Sequence, residues 1–233
     1  MSVLYVVATP IGNLEDLSHR AVRILGESDA VACEDTRQTR KIYERYSIPR
    51  PSLLFSYHEH NERSAGRRIL SLLREGKSVA LCSDAGYPGV SDPGYRIVSD
   101  AWEQGFQVCV IPGAGAVTAA LLASGLPTSS FTFKGFAPKK SGQRRRFLAA
   151  EKEAPHTLVL FESPHRVAAL LKDALGVLGD RLAAVCVELT KRFESTSRAH
   201  LSSLAAEFEG RAVRGEVTVV IAGNNPKFIR ESE

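Results

Sequence analysis

The chain has 233 residues, of which 44% are hydrophobic and 24% are charged, and its net charge is +4. These are ordinary values for a globular protein, so they argue against a disordered or fibrous chain. No apolar run approaches the length of about 18 residues that a membrane span needs, and the amino terminus has no signal-peptide pattern. We therefore expect a soluble cytoplasmic protein of one large or two ordinary domains, without a membrane contact.

The cysteines and histidines give no metal or disulfide pattern. The four cysteines, Cys33, Cys82, Cys109 and Cys186, are far apart and form no C-x-x-C pair. Three of them lie in apolar runs, which predicts reduced thiols in the core. His58 and His60 have the spacing of two zinc ligands, but no third ligand follows, so we expect no metal site.

Apolar runs alternate with helical periodicity in the first half of the chain. Residues 4–8 form an uninterrupted apolar run that predicts a strand buried on both faces. Apolar residues at three- and four-residue spacing over 14–25 predict a helix after it. Further strands are predicted at 30–33, 53–56, 79–82 and 107–111, with helices before the last two. This alternation favours a mostly parallel sheet with crossover helices.

The pattern changes after Gly125–Thr128, where glycine and proline interrupt the chain. A helix at 117–124 precedes this break, and a helix that ends at about residue 178 and another near 201–209 follow it. The predicted strands are 131–136, 157–161, 183–189 and 217–222, and residues 224–233 are expected to be a polar tail. We therefore expect a two-domain α/β protein, with residues 1–115 and 116–233 as the domains and a mixed sheet in the second.

Three glycine- and proline-rich loops follow predicted strands, at residues 9–13, 83–94 and 112–116. The carboxyl ends of parallel strands are where open α/β sheets bind ligands. The P-loop, the G-x-G-x-x-G fingerprint after the first strand and the G-x-S-x-G elbow are all missing. The loops therefore favour a neutral or cationic ligand held by main-chain groups and by Asp84, although Asp84 alternatively caps its own loop.

A run of six basic residues without an intervening acid lies in the second half, beside several phenylalanines. Its members are Lys134, Lys139, Lys140, Arg144, Arg145 and Arg146. Such a cluster is typical of a surface that binds a polyanion. The alternative from the cluster alone is a solvated helix start.

Seven motifs resemble one family in order and spacing. They are V-A-T-P-I-G-N-L-E-D-L-S at 7–18, E-D-T-R at 34–37, S-Y-H-E-H-N-E at 56–62, the loop 83–94, V-I-P-G-A-G-A-V-T-A-A-L at 110–121, F-E-S-P-H-R at 161–166 and E-L-T-K at 188–191. The chain resembles the small-subunit ribosomal RNA methyltransferase I family, within the tetrapyrrole-methylase-like class, from residue 3 to about residue 223. Tyr87 and Gly115 depart from the usual threonine and serine of that family.

The resemblance implies two α/β domains with S-adenosylmethionine in the cleft between them, a homodimer, and no metal. It implies 2′-O-methylation of a cytidine ribose in the decoding centre of 16S ribosomal RNA, with the small ribosomal subunit as partner. The implied cofactor-binding residues are Pro10, Asp84, Ala85, Gly86, Val90, Gly113, Gly115 and Ala116.

The same motifs supply candidate catalytic residues, Glu34, Arg37, Glu162 and Lys191, whose alternative is an ordinary set of salt bridges between domains. The candidate RNA-binding residues are His58, Lys139, Lys140, Arg144, Arg145 and Arg146, and Tyr57, His60 and Asn61 are further candidates for stacking or bonding to RNA. Two other functions stay open: a tetrapyrrole or diphthine-type methyltransferase of the same fold, and a non-catalytic RNA-binding protein.

Overall fold

The structure is a computed structural model that describes residues 2–230. The chain divides into two compact units, which meet in sequence between Gly115 and Ala116. No helix in the described part of the chain has the length and apolar character of a membrane span.

The first unit is an α/β layer structure around a five-stranded parallel sheet. Its strands are β1 (Val3–Val7), β2 (Ala30–Cys33), β3 (Leu53–Ser56), β4 (Val79–Cys82) and β5 (Gln107–Ile111), in the order β3-β2-β4-β1-β5. Its helices are α1 (His19–Glu27), α2 (Thr36–Arg45), α3 (Glu62–Arg74) and α4 (Tyr95–Glu103). The predicted parallel sheet is confirmed, with β1, β4 and β5 as neighbours.

The two faces of this sheet are covered by different helix pairs. Helices α1 and α2 pack Leu25 and Ile42 against one face, with Cys33 and Cys82 of the strands in the same cluster. Helices α3 and α4 pack on the other face, with Leu81 in that cluster. The connections that follow the neighbouring strands β1 and β4 therefore leave toward opposite faces. In open α/β sheets, the carboxyl edge beside such a divergence is where ligands bind.

The second unit has a mixed six-stranded sheet. Its strands are β6 (Phe131–Phe136), β7 (Thr157–Glu162), β8 (Asp180–Val187), β9 (Ser195–His200), β10 (Val217–Ile221) and β11 (Ile229–Arg230), and its helices are α5 (Ala116–Ser124), α6 (Ser141–Ala149), α7 (Val167–Leu178) and α8 (Leu201–Phe208). Strands β6 and β7 are parallel, and the other described pairs in this unit are antiparallel. Residues of α6, α7 and α8 form one core with the sheet.

Several predicted elements differ from the observed ones. The segment after β2, for which no helix is predicted, forms α2, and Asp35 caps that helix by accepting a hydrogen bond from the N–H of Arg37. Strand β9 was not predicted, since its sequence S-T-S-R-A-H has no apolar alternation. The expected polar tail instead contributes β11, which pairs with β8. Residues 231–233 of that tail lie outside the described residues.

Candidate functional site

The loops after β1 and β4 are joined by main-chain pairing. The N–H of Thr9 donates to the carbonyl of Gly86 at 2.9 Å, and the N–H of Gly86 donates to the carbonyl of Thr9 at 3.1 Å. The hydroxyl of Thr9, a residue that is 1% exposed, donates to the carbonyl of Ser83 at 3.1 Å. These bonds hold the two loops together at the carboxyl edge of the sheet. They also place Pro10, the residue after Thr9, next to this pairing with Gly86.

Two glycines allow the loops of this edge to approach one another. Gly94 has φ +150°, and a Cβ there would lie 2.6 Å from the main-chain nitrogen of Gly89. A Cβ on Gly113 would lie 3.0 Å from the Cβ of Ala8, which directly follows β1. A side chain at Gly94 would therefore distort the loop after β4, and a side chain at Gly113 would push the loop after β5 away from the end of β1, so the two glycines preserve the shape of the edge.

Tyr87 connects the loop after β4 with the loop after β5. Its hydroxyl accepts a hydrogen bond from the N–H of Gly113 at 3.0 Å and lies 3.3 Å from the carbonyl of the same residue. The departure of Tyr87 from the family pattern thus provides a bridge between two loops. Gly115 ends the first unit and Ala116 begins α5, and both are half-buried.

Three carboxylates meet at the carboxyl ends of β2 and β4. Asp84 accepts a hydrogen bond from the N–H of Asp35 at 3.0 Å, and the N–H of Asp84 donates to Glu34 Oε2 at 3.3 Å. Partial desolvation of its carboxylate raises the pKa of Asp84, and the negative charges of Glu34 and Asp35 raise it further. Asp84 is exposed at this edge, so a positively charged group bound here would relieve that repulsion.

Arg37 neutralises one of these carboxylates. Its guanidinium lies 2.7 Å from Asp35 Oδ2, and this hydrogen-bonded pair lowers the pKa of Asp35 to about 2. The side chain of Arg37 is 84% exposed. Arg37 is therefore bound to Asp35, and one face of its guanidinium remains open to solvent.

A second charged cluster lies in the second unit, where β8 ends and β10 begins. Lys191 Nζ lies 2.8 Å from Glu188 Oε1 and 3.1 Å from Glu216 Oε2. Burial lowers the pKa of Lys191, but its hydrogen bonds to the two carboxylates raise the pKa by more. Lys191 is consequently a permanent cation and not a base at neutral pH.

The turn that carries Lys191 has a strained backbone. Glu188 has φ +53° and Thr190 has φ +66°, which places both in the left-handed region. This conformation is uncommon for any residue other than glycine and rarest for a β-branched residue such as Thr190. The buried hydroxyl of Thr190 has no hydrogen-bond partner among residues 2–230. Such strain persists only where surrounding contacts hold it, and it is common at functional sites.

Glu162 lies in the interior of the second unit, so the expectation of direct catalysis by this residue needs correction. Its side chain is 0% exposed and forms an ion pair with Arg166. The N–H of Ser163 also donates to Glu162 Oε1 at 2.7 Å. A carboxylate without exposed surface is suited to holding Arg166 in place rather than to contacting an acceptor.

The basic segment divides into exposed and buried members. Lys139, Lys140, Arg145 and Arg146 are exposed. Arg144 is 4% exposed, and its guanidinium lies 2.6 Å from Asp173 Oδ2 and donates to the carbonyl of Lys139 at 3.1 Å. The expected contact of Arg144 with RNA is therefore corrected, because this side chain holds the segment against α7.

The histidine-containing loop before α3 has one buried and two more accessible rings. Tyr57 is 2% exposed and donates to Glu62 at 2.9 Å, so it cannot stack on a nucleic-acid base as expected. His58 is half-buried and His60 is exposed, with their ring centroids 5.9 Å apart. No three potential metal ligands of the His, Cys, Asp or Glu type come together within the described residues.

Sequence reasoning missed several residues of these clusters. Thr9 and Ser83 lie inside the recognised motifs, but the pairing of their loops depends on the sheet order. Glu216 belongs to no motif, and only the antiparallel register of β8 and β10 places it beside Lys191.

Comparison with known proteins identifies the family. The tetrapyrrole (corrin/porphyrin) methylase family matches residues 3–205. A relative from Halalkalibacterium halodurans named ribosomal RNA small subunit methyltransferase I is 47% identical over 224 residues, which are 96% of this chain and 77% of the relative. A relative of the same name from Thermotoga maritima is 43% identical over 223 residues, which are 96% of this chain and 99% of the relative.

Solved structures of low sequence identity share the fold. A diphthine synthase has a TM-score of 0.72 at 17% identity, covering 95% of this chain and 90% of its own. A uroporphyrin-III-C-methyltransferase from Thermus thermophilus has a TM-score of 0.66 at 20% identity, covering 94% of both chains. Together with the closer relatives, these matches confirm the expected fold and family. The chain belongs to the tetrapyrrole methylases and, within them, to the ribosomal RNA small subunit methyltransferase I family.

Proposed function

We propose that this chain transfers the methyl group of S-adenosylmethionine to the ribose 2′-hydroxyl of a cytidine in the decoding centre of 16S ribosomal RNA. The name shared by its relatives supports a small-subunit ribosomal RNA as substrate. The observation that carries the proposal is the edge of the first unit, where paired loops adjoin an acidic cluster. The choice of a cytidine, of its 2′-oxygen and of the decoding centre rests on the resemblance of the motifs alone.

The residues at that edge fit the proposed cofactor. S-adenosylmethionine has an ammonium and a sulfonium group, and Glu34 and Asp84 supply negative charge without a paired cation of their own in the described residues. We assign the ammonium to Asp84. The raised pKa of Asp84 means that its ionised form is disfavoured, and a charge-assisted hydrogen bond to the ammonium would stabilise that form. The close approach of Gly113 to Ala8 brings the main chain after β5 and the main chain after β1 together at the same edge.

The remaining cofactor contacts follow from the placement of the loops. The proposed set is Pro10, Ala85, Gly86, Val90, Gly113, Gly115 and Ala116. Val90 is 44% exposed, so its side chain is free to cover an apolar part of a ligand. When bound, S-adenosylmethionine supplies an activated methyl group, and the role of the protein is to hold donor and acceptor in line.

The charged clusters supply groups that act on the acceptor hydroxyl. We propose that Glu34 orients the hydroxyl and that Arg37 stabilises the negative charge that develops on the acceptor oxygen. Arg37 is suited to this role because its side chain is 84% exposed although it pairs with Asp35. Lys191 is proposed as a second cation of this kind, held by Glu188 and Glu216. Glu162 acts indirectly, by positioning Arg166.

RNA is proposed to contact the exposed part of the basic segment and the histidine loop. The contacts are assigned to His58, Lys139, Lys140, Arg145 and Arg146, with Arg144 as an internal support. We further propose that the protein acts in the cytoplasm as a homodimer, without a metal, on rRNA within the small ribosomal subunit. A tetrapyrrole or diphthine substrate is disfavoured, since those matches are under 25% identical and support the fold alone.

The proposal is tested by incubating the purified protein with radiolabelled S-adenosylmethionine and either 16S rRNA or small ribosomal subunits from a strain that lacks the enzyme. Mass spectrometry of nuclease fragments is expected to find one ribose-methylated cytidine in the decoding centre. Methylation of a base, or of no RNA at all while a tetrapyrrole is methylated, would overturn it. Cofactor binding without any transfer would favour the non-catalytic alternative.

A further inference from the structure

A groove between α3 and α4 of the first unit is lined by three arginines. Arg63 and Arg67 lie one turn apart on α3, and Arg96 is the second residue of α4. The groove has a volume of about 200 Å³. It lies on the face of the sheet opposite to α1 and α2, and neither the basic segment nor the acidic edge includes these residues.

The three guanidinium groups have no partner in the described part of the chain. None of them has a hydrogen bond, an ion pair or a ring contact with residues 2–230, and all three side chains are exposed. Like charges four residues apart destabilise an isolated helix. Arg63 and Arg67 are placed in this way without a carboxylate between them to relieve the repulsion. An anionic ligand would remove that cost.

The acidic residues of the groove do not neutralise the arginines. Glu62 accepts a hydrogen bond from the buried hydroxyl of Tyr57 at 2.9 Å, which directs its carboxylate into the unit. Asp100 lies one turn after Arg96 but makes no ion pair with it. The lining therefore keeps an excess of positive charge on its exposed side.

The packing of the two helices gives the groove its shape. Gly66 of α3 faces Ile97 of α4, since a Cβ on Gly66 would lie 3.9 Å from Cδ1 of Ile97, an ordinary packing distance. Tyr95, directly before Arg96, is 78% exposed. Clustered arginines are typical of RNA-binding surfaces, where guanidinium groups bind phosphates.

We propose that the α3–α4 groove is a second RNA-binding surface, in which Arg63, Arg67 and Arg96 bind phosphates of the RNA backbone. This inference rests on the proposed function, because it assigns a further contact to the same substrate. It extends the RNA contact to three arginines that lie outside every recognised motif. The nearest motif is the histidine loop at 56–62, which ends directly before Arg63. The groove supplies affinity without sequence recognition, since phosphate contacts carry no base information.

The test replaces Arg63, Arg67 and Arg96 together by glutamine and measures binding of an in vitro transcript of 16S ribosomal RNA over a range of salt concentrations. Loss of three phosphate contacts is expected to weaken binding by about 10- to 100-fold at 0.1 M salt and to flatten the slope of log affinity against log salt by about 2. Replacement of the same three residues by lysine is expected to retain the slope. Cofactor affinity is expected to be unchanged.

Two control variants separate the possible outcomes. Changing the exposed cations of α2, Arg40, Lys41 and Arg45, to glutamine alters the net charge equally on the opposite face of the sheet, and an equal loss there would overturn the groove assignment. A basic-segment variant, with Lys139, Lys140, Arg145 and Arg146 changed to glutamine, tests the proposed function independently. If that variant loses affinity while the groove variant does not, the groove inference alone fails. Wild-type protein that bound no RNA would overturn both proposals, and a groove variant that altered only the oligomeric state would assign the groove to a protein contact.

Discussion

Gly215 lies directly against Glu188, and a Cβ at Gly215 would overlap the Glu188 carboxylate. The same carboxylate accepts hydrogen bonds from Lys191 Nζ at 2.8 Å and from the N–H of Glu216 at 2.9 Å. The position of Lys191 thus depends on the absence of a side chain 24 residues further along the chain. A turn of left-handed residues is stabilised here by a glycine that belongs to no recognised motif.

Replacement of Gly215 by alanine should displace Glu188 and with it Lys191. The matched control is Gly210→Ala. Gly210 has a left-handed φ of +69°, close to the +85° of Gly215, but a Cβ at Gly210 would meet no atom within 4 Å. The left-handed conformation should cost both variants about 1–2 kcal/mol of unfolding free energy. We expect a clearly larger loss for Gly215→Ala in urea unfolding, and a lower methyl-transfer rate only in that variant. Equal behaviour of the two variants would contradict a role for the Gly215–Glu188 contact.

Removal of the Tyr87 hydroxyl should loosen the loop after β5. In Tyr87→Phe the N–H of Gly113 loses its partner at 3.0 Å, which is worth about 0.5–1.5 kcal/mol for a neutral hydrogen bond. We expect calorimetry to show cofactor affinity reduced by about 2- to 10-fold. Tyr95→Phe is the control, because the exposed Tyr95 makes no such bond among the described residues, and it should bind the cofactor as the wild type does.

The raised pKa of Asp84 predicts a pH dependence with a definite sign. The folded protein holds the Asp84 proton more tightly than the unfolded chain does, so stability without cofactor falls as pH rises from the ordinary pKa through the raised one. Cofactor affinity should change in the opposite direction and weaken as pH falls through the raised pKa, because the ammonium then loses its carboxylate partner.

Asp84→Asn provides the comparison for that dependence. Its affinity should be lower by about 1.5–3 kcal/mol at neutral pH, the range for hydrogen bonds to charged groups, and nearly independent of pH. The pKa of Asp35 is about 2, so Asp35 does not titrate in the pH range above the ordinary aspartate pKa in which Asp84 does. An unchanged affinity in calorimetry of the folded variant would remove Asp84 from the cofactor site.

Much of the first unit could be predicted from the sequence because its strands are buried on both faces. Uninterrupted apolar runs such as Ala30–Cys33 and Val79–Cys82 have a single interpretation, and both strands have the predicted bounds. Strand β9 was missed, since it pairs with β8 at the sheet margin and most of its residues are exposed or half-buried. Hydrophobic periodicity indicates strands only where the sheet buries them.

The candidate site was less predictable, because the sequence shows the type of a charged residue but not its burial. Arg144 and Arg145 are neighbours in one basic run and both approach Asp173, at 2.6 and 3.7 Å, yet the side chain of Arg144 is 5% exposed and that of Arg145 is 51% exposed. The signal for this difference is the helical phase, in which Arg144 lies on the same face as the buried Leu148. Glu162 was misjudged for a similar reason, since a carboxylate at a strand end faces either solvent or a helix, and here it faces Arg166.

The Arg144–Asp173 pair should contribute to stability through its burial. The two side chains are 5% and 11% exposed, so removing Asp173 leaves the charge of Arg144 buried without an anionic partner. We expect Asp173→Ala to lower the unfolding free energy by about 3–5 kcal/mol, and Arg144→Met combined with Asp173→Leu to recover most of that loss. Glu27→Gln, which breaks the exposed pair with Arg23 at 56% and 61% exposure, should cost less than about 1 kcal/mol. Comparable losses for the buried and the exposed pair would contradict this assignment.

Lys191 and Arg37 should affect the transfer step far more than cofactor binding. Lys191 stays protonated between two carboxylates, so it can stabilise negative charge on the acceptor oxygen but cannot remove its proton. Arg37→Ala leaves Asp35 unpaired and makes the acidic edge more negative, and cofactor affinity should therefore be retained or slightly increased while the rate falls. We expect Lys191→Met and Arg37→Ala each to lower the single-turnover rate at saturating cofactor and RNA by at least tenfold, with Lys191→Arg retaining more of it. If both variants had rates within about threefold of the wild type, the change in activation free energy would be less than about 1 kcal/mol, and the two residues would be assigned to structural ion pairs instead.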